Sequence, residues 1–252
     1  MINWNIDPEV FSIGTFSIRY YGIIYALGFM LTFFYLNHAR KKQKLELSKD
    51  QLYDLIFYLL MGVVLGARIF EVLFWQPKYY FNNPLEIFAI WSGGLSFHGG
   101  LIGAILASYL FCKKNNIKLL KLADLAIVPA TLALSLGRIG NLLNSEIYGT
   151  ITDVSWCFNF INAEGCRHPY QIYSSLFHFF SFLILLNFNK RENKEGFIFW
   201  IGILLFGIGR FILDFFREDP LYYGLNLGHY FSIILILISG YFLLRNYKTK
   251  IL

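Results

Sequence analysis

The sequence predicts an all-α, polytopic integral membrane protein of about seven transmembrane helices, and three observations predict it. Of the 252 residues, 56% are hydrophobic and only 15% are charged, about ten points below the charged fraction of a typical soluble domain. Seven segments approach the roughly 20 mostly apolar residues that a helix needs to cross the hydrocarbon core. Lys and Arg collect in alternate loops, the pattern left where short loops stay in the cytoplasm.

In chain order, the first seventeen residues carry Asp7 and Glu9 without a basic start, which does not fit a cleaved signal peptide, so a short external arm is expected there. Spans are expected at 18–37, 51–75, 95–112, 122–143, 169–188, 197–216 and 228–245. Arg40, Lys41, Lys42, Lys44 and Lys49 lie between the first and second, and Lys113, Lys114, Lys118 and Lys121 between the third and fourth. Lys190, Arg191 and Lys194 follow the fifth, and Arg245, Lys248 and Lys250 follow the last. The opposite side holds only Arg19, Lys78, Arg167 and Arg217, which gives an N-out, C-in topology. The net charge of +6 then faces anionic lipid and requires no nucleic-acid partner. With no internal repeat, low-complexity tract or linker, residues 1–252 are expected to form a single transmembrane catalytic domain. Cys112 reads as a small hydrophobe at a helix end. Cys157 and Cys166 share one external loop, in a compartment that allows either a disulfide or two free thiols.

Polar residues that hydrocarbon penalises are functional candidates by default. At 1.5 Å per residue, Arg138 lies about 24 Å up the fourth span, Arg68 about 26 Å up the second and Arg210 about 20 Å up the sixth. The odd spans run the other way, so Tyr21, His98, His168 and Gln171 begin at the same outer layer. Arg68 and Arg138 can serve a site or snorkel to headgroups, and Arg210 can pair with Asp214 four residues on. The run W-S-G-G-L-S-F-H-G-G from Trp91 suggests a glycine-rich helix break beside His98 where backbone can approach a ligand. The stretch Gly137 to Gly149 packs Arg138, Asn141, Asn144 and Glu146 together. Arg138 and Asn141 share a helix face there, Asn suits a phosphate or glycerol hydroxyl, and Glu146 can hold an arginine or take a proton.

Other constellations fit less well. Ser96 and His98 hint at a serine hydrolase, but residues i and i+2 do not face each other on a helix, and no G-x-S-x-G occurs. The five histidines lack zinc-ligand spacing, so neither a metal nor a cofactor is expected. A channel or transporter would place polar residues at all depths, whereas here they gather in one outer layer. A non-catalytic protein that binds anionic lipid is the remaining alternative.

The motifs Y-Y-G-I-I-Y from Tyr20, G-A-R from Gly66, G-G-L-S-F-H-G-G-L-I-G from Gly93, the stretch at Gly137, R-H-P-Y-Q-I-Y from Arg167 and R-F-I-L-D-F-F-R from Arg210 occur in an order that resembles the prolipoprotein diacylglyceryl transferases over nearly the whole chain. The resemblance implies an enzyme of the bacterial inner (cytoplasmic) membrane, with its active site toward the periplasm. It would move the diacylglyceryl group of phosphatidylglycerol to the lipobox cysteine of a prolipoprotein signal peptide, forming a thioether and releasing glycerol phosphate. It implies importance for Tyr21, His98, Arg138, Asn141, Glu146, Gly149 and Arg210, with Arg68, His168, Gln171 and Asp214 in possible support. Arg138 and Arg210 would hold the phosphate, with Asn141, Tyr21 and Gly149 completing the lipid site. Either His98 or the phosphate itself would take the thiol proton. Against the usual family pattern, Leu142 stands for Phe, Ser145 for Gly, Asp214 for a longer Glu, and H-P-Y-Q for H-P-S-Q.

Overall fold

A computed structural model describes residues 1–13 and 16–251. In chain order the elements are strands β1 (Ile2–Trp4), β2 (Glu9–Ile13) and β3 (Phe16–Arg19), and helices α1 (Tyr20–Lys41), α2 (Lys49–Phe70), α3 (Pro77–Asn82), α4 (Phe97–Lys114) and α5 (Leu119–Leu143). They continue with β4 (Phe158–Phe160), β5 (Cys166–Arg167), α6 (Tyr170–Phe188), α7 (Phe197–Leu213), β6 (Leu221–Tyr222), β7 (Leu225–Asn226) and α8 (Leu227–Ile251). Each of the seven segments read from the sequence is helical. By length and composition, six helices among the described residues can cross a membrane, at Tyr20–Lys41, Lys49–Trp75, Leu119–Leu143, Tyr170–Phe188, Phe197–Phe216 and Leu227–Tyr247. The chain is therefore a multi-pass helical membrane protein. The expected third span, α4, does not reach that standard, because its 18 residues include His98, Lys113 and Lys114.

The helices separate into two compact units, Leu36–Leu122 and Met1–Tyr35 with Ala123–Leu252. In the first, Ser48 and Gln51 close a capping box at the start of α2, satisfying two backbone donors that the helix leaves open. A five-residue π turn, Glu71–Trp75, extends α2. Helices α2 and α4 approach at glycine. A Cβ on Gly66 would collide with the Gly99 carbonyl and Gly103 Cα, and one on Gly103 with the Gly62 carbonyl. Spacing of four puts Gly62 with Gly66, and Gly99 with Gly103, on facing stripes, the small-residue packing that membrane helices use. The glycine-rich break expected beside His98 falls at Gly93 (φ 92°) and Gly94 (φ 70°), just before α4 begins, while Gly99, Gly100 and Gly103 lie inside α4 and serve packing.

In the second unit, Val128 of α5, Leu185 of α6, Phe197 and Ile198 of α7 and Leu243 and Tyr247 of α8 bury together. The Asp124 carboxylate accepts the backbone N–H groups of Gly196 (2.6 Å) and Phe199 (2.7 Å), capping α7 from a neighbouring helix where the dipole favours negative charge. Ser135 and Ser175 each donate to the other's carbonyl, at 2.9 and 3.0 Å, fixing α5 against α6. Part of the expected external arm forms strands. β1 pairs in parallel with β4, with Ile2 opposite Phe158 and Trp4 opposite Phe160, and β4 pairs antiparallel with β5. Cys157 and Cys166 form a disulfide beside this sheet, which answers the question the sequence left open.

Candidate active site

The signature stretch begins on the last turns of α5. The Arg138 Nη1 donates to Asn141 Oδ1 at 3.1 Å, and Asn141 Nδ2 donates to Glu146 Oε1 at 2.7 Å. The i, i+3 spacing seen in the sequence thus produces a contact, and Asn141, almost completely buried, joins a cation to an anion with one carboxamide. Glu146 has no ion-paired arginine among the described residues. Its place beyond the helix end is fixed by backbone bonds from Ser145 N to Leu142 O and from Glu146 N to Asn141 O, both 3.0 Å, and by Gln171 Nε2, which donates to the Glu146 carbonyl at 2.9 Å. Ser145 (φ 52°) and Ile147 (φ 56°) take left-handed backbone there, a conformation that side chains, β-branched ones above all, avoid. Strain of this kind persists where the surroundings over-determine it.

Tyr21, in the first turn of α1, lies with its ring against Gly140, where a Cβ would come within 3.1 Å of it. Its hydroxyl bonds Tyr25 at 3.2 Å and reaches Asn141. Gly149 is needed for a different reason, since a Cβ there would strike the carbonyls of His168 and Phe216. Its N–H donates to His168 O at 3.0 Å and Thr150 N to Phe216 O at 2.9 Å, so Gly149 ties the turn to the starts and ends of neighbouring helices. His168 contributes mainly backbone here, its ring bonding Tyr173 at 3.2 Å.

Arg210, near the end of α7, pairs through Nε with Asp214 Oδ2 at 3.3 Å. This contact is ionic and not an aligned hydrogen bond, because both atoms are otherwise buried without a hydrogen-bonding partner. Tyr170 donates its hydroxyl to the second oxygen, Asp214 Oδ1, at 2.9 Å, and a Cβ at Gly228 would overlap Asp214 Oδ2. The terminal nitrogens of Arg210 have no hydrogen-bond partner among the described residues. Arg138 and Arg210 line one small cavity with Tyr170, Ser174, His178 and Phe206. Its volume of about 10 Å³ is roughly the space of one water. Two guanidiniums therefore meet one buried carboxylate, leaving the cavity cationic. Outside the spans, Arg217 pairs with Asp219 at 3.1 Å, where burial pushes the Asp219 carboxyl up and Arg217 opposes it.

The structure thus brings Arg138, Asn141, Glu146, Tyr21, Gly149, Arg210, Asp214, His168 and Gln171 into one unit. His98 and Arg68 belong to the other. His98 is exposed in the first turn of α4, with the rings of Phe70, Trp75 and Phe97 around it. Ser96 instead accepts from Trp75 Nε1 at 3.0 Å, so no Ser–His couple forms. Arg68 does not snorkel. It is 5% exposed and donates to the carbonyls of Ile87, Gly93 and Gly94 at 2.7 to 2.9 Å, and to those of Glu86 and Ala89, organising the loop before α4. Tyr170, Ser174 and His178 escaped sequence reasoning, although their spacing of four places them on one face of α6.

A sequence model of the prolipoprotein diacylglyceryl transferase family matches residues 8–245. The chain is 41% identical to the phosphatidylglycerol–prolipoprotein diacylglyceryl transferase of Geobacter sulfurreducens over 89% of its own length and 87% of that protein's. It is 36% identical to the enzyme of the same name from Rickettsia rickettsii over 96% and 97%, and 36% identical to that of Rickettsia typhi over 97% and 98%. With that coverage, the chain belongs to the prolipoprotein diacylglyceryl transferase family.

Proposed function

We propose that this chain transfers the diacylglyceryl group of phosphatidylglycerol to the lipobox cysteine of a prolipoprotein, in the bacterial inner membrane with N-out, C-in topology and the site toward the periplasm. The observation that carries the site assignment is the single cavity shared by Arg138 and Arg210. Among the described residues, Arg138 has only the neutral Asn141 as a hydrogen-bonded partner, and Arg210 is held by its Nε edge, so donors of both remain for phosphate oxygens. Guanidinium presents these donors in a fork that matches phosphate.

The cysteine sulfur forms a C–S bond to the diacylglyceryl carbon that carries the phosphate ester. The C–O bond breaks, and its electron pair leaves on glycerol phosphate. The charge gathering on the departing phosphate is what two fixed cations stabilise. The thiol proton passes to the phosphate. Asn141 aligns Arg138 with Glu146, and Tyr170 and Asp214 fix Arg210. Gln171 and Gly149 hold the turn that supports Glu146, and Tyr21 lies against Gly140 beside Asn141.

The test is transfer from labelled phosphatidylglycerol to a lipobox peptide by detergent-purified protein. Arg138→Ala and Arg210→Ala are expected to lower kcat by about 10²- to 10³-fold, the usual loss of an oxyanion-stabilising donor. Near-normal turnover by both variants would remove the phosphate role.

A further inference from the structure

The cavity shared by Arg138 and Arg210 has a polar lining group that the transfer described above does not use, the imidazole of His178. His178 is 5% exposed, and neither of its ring nitrogens has a hydrogen-bond partner among the described residues. Unlike Nε2 of His229, which is sealed off without a partner, they keep accessible surface. A polar group placed like this costs free energy unless something that enters the cavity bonds it.

Packing on both sides fixes where the imidazole stands. Paired bonds between Ser135 and Ser175 hold α6 to α5. Phe177 lies on Gly209, where a Cβ would strike its ring, and this seats α6 on α7 one residue from Arg210. The imidazole stacks on Phe206, with 5.8 Å between centroids and 20° between planes, and Phe177 meets it edge-on at 6.1 Å. A volume of about 10 Å³ admits one oxygen-sized group. Two guanidiniums select an anionic oxygen for that place, and a phosphodiester offers two non-bridging ones. An imidazole has an N–H to donate in either protonation state.

We propose that His178 donates a hydrogen bond to one non-bridging phosphate oxygen of phosphatidylglycerol, as a third ligand beside Arg138 and Arg210. This rests on the transferase reading above. The bond strengthens as charge gathers on the departing glycerol phosphate, so its effect falls on kcat more than on KM.

Two variants separate this contact from packing. His178→Phe keeps a ring against Phe206 and removes the N–H, whereas His178→Gln returns an N–H donor without the ring. With phosphatidylglycerol vesicles and a lipobox peptide, His178→Phe is expected to lower kcat about 10- to 100-fold, the worth of a hydrogen bond to a charged group, with a smaller change in KM. His178→Gln is expected to recover part of that loss. Phosphatidylglycerol carrying sulfur at one non-bridging position supplies a second readout, because sulfur is larger than oxygen and a poorer acceptor. The unaltered protein should process one of the two diastereomers more slowly than the other, and His178→Phe should narrow that gap, which a packing role would not do. Normal kcat in His178→Phe, equal losses in both variants, or a gap that is absent or unchanged overturns the inference and leaves the arginine assignment standing. Failure of the unaltered protein to transfer from ordinary phosphatidylglycerol overturns the transferase reading and the inference with it.

Discussion

Arg210 owes its orientation to three neighbours that do not share its charge problem equally. Asp214 is completely buried on one edge of the guanidinium, Tyr170 saturates the far oxygen of that carboxylate, and Gly228 leaves room for both. Tyr170 and Asp214 are hydrogen-bonded to each other, which holds the short acid where it reaches the arginine. Tyr170→Phe should therefore lower kcat by roughly tenfold, the worth of a hydrogen bond to a charged group, with a smaller change in KM for phosphatidylglycerol. Steady-state kinetics on both substrates checks it, and an unchanged kcat counts against this positioning. Asp214→Asn should cost more, since it removes the charge facing Arg210 and leaves the buried Nε edge of the guanidinium without its carboxylate. Depth and charge made Arg138, Asn141, Arg210 and Asp214 legible before any coordinates. Tyr170, Ser174 and His178 were not singled out, because only the helix phase of α6 brings them to the arginines.

Between helices, the sequence signal was strongest where apolar runs are long. All seven segments form helices within a few residues of their expected ends, because composition over 18 or more residues outweighs local preference. The short strands had no such signal. β1 is three residues long and pairs with residues more than 150 positions away, so no periodicity announces it. The glycines of α4 were legible as unusual but not as packing, since their use depends on Gly62 and Gly66 of a different helix. Gly66→Leu should consequently destabilise the α2–α4 pair, because its new atoms meet backbone and not a movable side chain. Overpacking of this kind costs about 1 to 3 kcal/mol or more, and thermal unfolding in detergent should show a lower Tm. An unchanged Tm would mean the helices part without penalty. Asp124→Ala should act in the same direction, costing about 1 to 2 kcal/mol through the lost cap on α7.

For the whole molecule, the Lys and Arg distribution implies a definite orientation. Single cysteines at Lys42 and Lys78, both exposed, report it in intact cells treated with a membrane-impermeant maleimide. Lys78→Cys should label directly and Lys42→Cys only after permeabilisation, and the reverse order would invert the topology. The central claim is that one phosphate is held by two arginines from different helices. A structure determined with phosphatidylglycerol bound tests it most directly, and should show phosphate oxygens within about 3.2 Å of guanidinium nitrogens of both Arg138 and Arg210. A lipid phosphate bound in a catalytically active protein with neither arginine touching it would contradict that claim.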